Sequence, residues 1–256
     1  MTAPIPRDLP DLPAIPGVPA PLTSSVPATA VVTPVRRPLA AVYRLLVALT
    51  AATAVTVDLL LGSPIRVLSH FAVQSNLFLA AVLALSARRA WTARRPLPSA
   101  VTGAALLYVV ITALVYHLLL AHASPPFTIT GGTTAPTGRL WLTGQLLHTA
   151  IPAAAVLDWL LLTPPARLHL RQAASWLLYP LAYLAFSFVR GELILPGTRG
   201  RYLYPVLDVD LHGYKSVLGN AFLLGLAFYA LAALLVALDH ARPNPVRHRT
   251  KTGFRL

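Results

Sequence analysis

Residues 140–163 read LWLTGQLLHTAIPAAAVLDWLLLT. Asp158 is the one formal charge in that stretch. A helix needs roughly 20 apolar residues to cross about 30 Å of hydrocarbon, and this stretch supplies them. Five more apolar stretches flank it, at 40–62, 66–87, 99–123, 172–190 and 216–238. Composition agrees: 56% of the 256 residues are hydrophobic and 11% are charged, against about 25% charged in a soluble domain. Mean hydropathy is +0.65. The fold class that follows is all-α, an integral membrane bundle of six transmembrane helices.

Proline recurs from Pro4 to Pro38, which forbids a continuous helix there. Residues 1–39 are expected to be a disordered, Pro-rich cytoplasmic tail. Residues 40–239 then hold the six spans, and residues 240–256 form a basic cytoplasmic tail. Met1–Asp11 lacks the apolar core of a signal peptide, so the first span is expected to direct insertion. With the N-terminus inside, 15 of the 21 Lys and Arg residues fall on the cytoplasmic side. The positive-inside rule therefore predicts a multi-pass cell-membrane protein with both termini cytoplasmic. The net charge of +13 sits mainly in short segments beside apolar spans. That placement argues for membrane lipids as partners and against nucleic acid. There is no cysteine, which removes disulfides and thiolate chemistry.

Orientation gives each intramembrane polar residue a depth. Asp58 falls near the outer end of span 1, and His70, Gln74, Ser75 and Asn76 fall in the outer half of span 2. His117 and His122 end span 3. Gln145 and His148 lie in span 4, with His148 about 12 Å deep at 1.5 Å per residue. Arg190 ends span 5, followed by Glu192, and Asn220 lies in span 6. Buried charge is costly in a bilayer, roughly 2.5–3.5 kcal/mol at its centre. Polar groups at one shared depth therefore suggest a polar chamber open toward the outer side, or helix ends that merely tolerate them. His70 and Gln74 are four residues apart and predict one helix face, as do Gln145 and His148, three apart. Pro152 is expected to bend span 4. Tyr179, Tyr183 and Phe186 read as packing or as a substrate wall. Asp158 and Asp239-His240 read as ion pairs or anchors at the inner ends.

A histidine in a low-dielectric pocket can act as acid or base, and with a nearby hydroxyl it can drive acyl transfer. Ser69, Ser75 and Thr149 are hydroxyls at matching depth. The histidines and carboxylates of the spans show no H-x-x-x-H spacing, so no metal or other cofactor is expected.

Four stretches carry a resemblance: HFAVQSNLF at 70–78, LLHTAIPAAAVLDWLL at 146–161, YPLAYLAFSFVRGE at 179–192 and YLYPVLDVDLHGYKSVLGN at 202–220. Together the chain resembles the bacterial Pr-six-Pr membrane proteins, which are related to the androgen-induced, FAR-17a-like proteins. The resemblance implies six spans and a lipid hydrolase cleaving fatty acid esters of hydroxy fatty acids, through an intramembrane Thr and a His. The His matches His148. The Thr, from a pattern like Phe-Thr-x-x-Ser-Asn, matches Ala72, which cannot be a nucleophile.

Two functions follow as expectations. One is an intramembrane lipid ester hydrolase with His148 as acid/base and Ser75 as nucleophile. Ser69 or an activated water would be its substitutes. Asp58, His70, Gln74, Asn76, His117, Gln145 and Arg190 would line the site. The other, favoured by Ala72, is a non-catalytic lipid-binding or transport protein that uses the same chamber. A structural protein with no ligand is the third.

Overall fold

A computed structural model of the protein describes residues 35–243, except 124–125, 133 and 199. Of the expected tails, 1–39 and 240–256, residues 1–34 and 244–256 lie outside the described residues. Six helices are long and apolar enough to cross a membrane: Pro38–Leu61, Phe71–Trp91, Ser99–Leu120, Gly138–Leu162, Leu170–Leu193 and Val209–Ala241. Among the described residues there is no strand. The protein is an all-α, multi-pass membrane bundle. Large apolar side chains such as Leu60, Leu118, Leu161 and Phe222 are exposed, as lipid-facing residues are.

Span 1 begins at Pro38, inside the expected tail. Proline is tolerated there because the first-turn N–H has no intrahelical partner. Span 1 buries Ala40, Ala41, Ala48, Ala51 and Ala54 along one stripe and packs along span 2. Small residues let the two backbones approach closely. Spans 2 and 3 are the centre of the bundle, with 61% and 56% of their apolar stretches buried. Span 6 is peripheral at 17%.

Two further expected boundaries differ. The stretch 66–87 is not one helix: a short helix Pro64–Leu68 precedes span 2, which starts at Phe71. Ser69 Oγ donates to Ile65 O at 2.6 Å, and His70 Nδ1 meets Arg66 O at 2.9 Å. Ile65 O still accepts from Ser69 N at 3.1 Å, but Arg66 O, the carbonyl that His70 N would have used in a continuing helix, is met by the His70 ring, and His70 N turns to Val67 O at 3.1 Å. His70 is therefore the residue before the helix, with extended backbone, and it shares no helix face with Gln74. The start of span 6, expected at 216, is merged with an earlier turn from Val209 across a kink at Gly213, whose φ is +69°. A positive φ suits glycine, which has no Cβ to clash. Asp208 caps that turn by accepting from Asp210 N and Leu211 N.

The proline in span 4 widens the helix. Leu146–Ala150 is a π-helical turn, followed by α-helix from Ile151. In that wider register Leu147 O would need an N–H from Pro152, which has none. Asn76 Nδ2 donates to it instead, at 3.2 Å. Span 5 shows the same logic. Pro180 cannot donate to Trp176 O, the helix breaks at Leu177, and Tyr108 OH donates to that carbonyl at 2.9 Å.

Candidate functional site: an apolar cavity ending at His148

The two ends of the bundle differ in how they are closed. Connectors 92–98 and 163–169 make one end, the short-turn end, and 62–70, 121–137 and 194–208 make the other, the long-loop end. At the short-turn end, Arg44 pairs with Asp158 at 2.7 Å. Asp239 accepts from Arg167 N at 2.7 Å, Leu168 N at 2.9 Å and Trp159 Nε1 at 3.2 Å, and it pairs with Arg242. Both aspartates are structural anchors.

Toward the long-loop end lies a cavity of about 450 Å³ between spans 3, 5 and 6. Ligand pockets span about 300–1,000 Å³. Its walls are mostly apolar, with Ile111, Val115, Leu184 and Phe228 among them. Pro180 and Gly225 also line it, and a Cβ at Gly225 would meet nothing within 4 Å. Leu181, Phe222 and Leu226 on its rim are 55%, 67% and 52% exposed. The cavity thus opens sideways, between spans 5 and 6, onto the apolar surface.

One corner is polar, formed by Ala72, His148, Tyr183 and Tyr204. His148 is buried in the π-helical turn. Its Nδ1 lies 2.9 Å from Gly144 O. A carbonyl only accepts, so Nδ1 carries a proton and the neutral ring keeps Nε2 as its acceptor. The ring stacks on Tyr116 at 4.3 Å, and Phe127 stands edge-on to it at 6.2 Å. Phe127 also stacks on Tyr204 at 5.7 Å. Tyr183 OH donates to Ser69 O at 2.9 Å. Tyr204 OH accepts from Ala72 N at 3.5 Å, and burial pushes its phenol well above the ordinary value, so its hydroxyl stays protonated. On its other side His148 borders a pocket of about 30 Å³ with Asp58, Tyr116, Thr143 and Gln145. That is room for one water.

The expected site residues do not form one chamber. His148 is on the cavity wall. Ser75 is not: it is fully buried, and its hydroxyl is sealed without a partner among the described residues. Ala72 faces the cavity in its place. Gln74 ties span 2 to span 5, donating to Leu68 O and accepting from Tyr179 OH at 2.6 Å. Asn76 serves the Leu147 carbonyl. Asp58 accepts from Thr143 Oγ1 at 2.6 Å and reaches only the small pocket. His70 is buried beside Phe127 and Tyr204, its Nε2 without a described partner. His117 is exposed and meets Thr149 Oγ1 at 3.0 Å, with Thr149 3.3 Å from Gln145 Oε1. Arg190 holds the connector to span 6 through Gly200 O and Arg201 O. Among the described residues no three His, Asp or Glu side chains converge for a metal ion.

Tyr204 and Phe127 were not legible as site residues. They lie in connectors that fold back over the bundle, and only the aromatic YLY at 202–204 marks the region. In comparisons with known proteins, the chain matches no family model, no curated protein and no solved structure.

Proposed function

We propose that this membrane protein binds an amphiphilic lipid, its apolar chain in the 450 Å³ cavity and its polar group at His148 and Tyr204. The observation that carries the reading is the cavity's make-up: mostly apolar walls, a side opening onto the apolar surface, and His148, Tyr183 and Tyr204 gathered in one corner. Nε2 of His148 would accept from the lipid's hydroxyl, and Tyr204 would donate to its carbonyl. Binding ranks above hydrolysis because Ala72 and not Ser75 lines the cavity. Thr112, the hydroxyl residue on that wall, already donates to Tyr108 O at 3.0 Å. The excess of Lys and Arg on the side that carries both chain ends, 15 of 21, argues for the long-loop end, and with it the polar corner, on the outer side of the cell membrane.

The test is mass spectrometry of lipid retained by the purified chain. Wild type should carry a lipid in a fixed ratio, and Ala72→Trp, which fills the polar corner, should lose it. Overpacking costs about 1–3 kcal/mol, so the variant's melting temperature is read beside its lipid content. A folded Ala72→Trp that keeps the lipid contradicts the proposal.

Ester hydrolysis, the activity implied by the likeness to the FAR-17a-like proteins, stands as a second reading because of one contact. His117 Nε2 and Thr149 Oγ1 are 3.0 Å apart, the spacing of a nucleophile and its base. In that reading Thr149, not Ser75, attacks the ester carbonyl, His117 takes its proton and returns it to the departing alcohol as the ester C–O bond breaks, and water then hydrolyses the acyl-Thr149. Hydroxy-fatty-acid ester turnover that disappears in Thr149→Val would establish it. Its absence in wild type would leave binding alone.

A further inference from the structure

Two arginines at the long-loop end carry charge that no described carboxylate neutralises. Arg66 sits in the short helix Pro64–Leu68 and Arg190 in the last turn of span 5. The described ion pairs belong to Arg44, Arg201 and Arg242. Glu192 and Asp210, the acids flanking the connector between spans 5 and 6, are engaged by Arg201 at 3.5 and 2.6 Å.

Both arginines converge on Gly200. Arg190 Nη1 donates to Gly200 O at 3.0 Å. A Cβ on Gly200 would collide with Arg66 Nη1, and one on Gly131 would fall 2.7 Å from Arg66 Nε. The two glycines have φ of +75° and +91°, conformations that side chains avoid. Two separate connectors thus use glycine where the backbone must sit against the Arg66 guanidinium. Arg66 Nε is sealed from solvent and has no acceptor among the described residues. Burial, then the like charge of Arg190, holds the Arg66 guanidinium below its ordinary value. Two half-buried cations meeting at one glycine repel each other, and an anion between them would compensate that.

We infer that Arg66 and Arg190 form an oxyanion site for a phosphate group, supplied by a lipid headgroup or by free phosphate. A guanidinium offers parallel N–H donors in a plane, which match two oxygens of one phosphate. The site lies where the spans end, at the depth of headgroups. Neither arginine lines the cavity, so the inference stands or falls apart from the lipid-binding reading.

The experiment uses the full chain in dodecyl maltoside, a detergent without phosphate. Melting is followed by tryptophan fluorescence with inorganic phosphate against chloride at equal ionic strength. A second arm adds phosphatidylglycerol against phosphate-free diacylglycerol. The expected result is a higher melting temperature with phosphate or with phosphatidylglycerol, and with neither control. Arg66→Gln should bind roughly tenfold more weakly, because it removes one charge-assisted hydrogen bond to the anion. Arg66→Lys, which keeps charge but not the planar fork, should fall between. Stabilisation by free phosphate identifies a soluble anion; stabilisation by phosphatidylglycerol alone identifies a headgroup. Arg190→Gln removes a loop anchor and can unfold the connector. Arg66 makes no described hydrogen bond through its side chain, so Arg66→Gln decides the matter. No stabilisation of wild type in either arm overturns the inference, as does wild-type affinity in folded Arg66→Gln.

Discussion

At the short-turn end of the bundle, buried charge is matched almost group for group, whereas at the long-loop end buried polar atoms are left over. Asp239 alone gathers two backbone N–H groups, an indole N–H and Arg242. One buried atom there, Arg242 Nε, lacks a described partner, whereas at the other end His70 Nε2, Arg66 Nε, Ser75 Oγ and Asn76 Oδ1 all lack one, and the cavity with His148 opens beside them. Buried polar groups are ordinarily paired, and unpaired ones cost about 1–3 kcal/mol each. One end of the molecule therefore holds the helices together. The other carries unmet hydrogen-bonding capacity, which is what a binding site needs.

That contrast breaks most readily at Asp239. Asp239→Ala strips the acceptor from four donors, and removing one partner of a buried pair costs about 3–5 kcal/mol. The variant is expected to melt far below wild type, or to fail to accumulate, when measured by thermal unfolding in detergent. A change of melting temperature no larger than a surface substitution gives would show that the short-turn end is not the anchor.

A smaller effect is expected at His148. His148→Phe keeps a ring to stack on Tyr116 but loses the bond to Gly144 O, worth about 1 kcal/mol. Stability should fall by about that much, while retained lipid should fall well out of proportion. Equal losses in both would make His148 another packing residue and erase the difference between the ends.

The smallest effect belongs to Thr149. It is exposed, so Thr149→Val should shift stability by no more than about 0.5 kcal/mol and leave lipid binding unchanged. Loss of ester turnover in this variant would move the chemistry from the cavity to the His117–Thr149 pair.

Much of the architecture was legible in the sequence. Hydropathy runs locate spans because a bilayer demands length and apolarity of each segment separately. Asp158, the one charge in 140–163, announced an ion pair or an anchor, and Arg44 supplies the pair. The break at Ser69-His70 was hidden, since side chains that cap a helix leave the hydropathy run intact. So was the π-helical turn at His148: Pro152 signals a missing bond, but whether the helix bends or widens depends on Asn76 reaching across from span 2. The shared depth of the polar residues was readable, and their grouping was not. Depth fixes position along the bundle, whereas pairing depends on rotation and on connectors that fold back, as Tyr204 and Phe127 do. Gln74, Asn76 and Asp58 are consumed by neighbours, and His117 turns outward.

The central claim is that spans 5 and 6 admit a lipid chain from the side. The most direct measurement is photocrosslinking of the full chain in membranes with a diazirine fatty acid, followed by peptide mapping. The account predicts adducts concentrated on residues 177–184 and 218–229 and abolished by Ala72→Trp or by excess unlabelled lipid. Adducts spread evenly over every exposed apolar face, and untouched by either treatment, would contradict it.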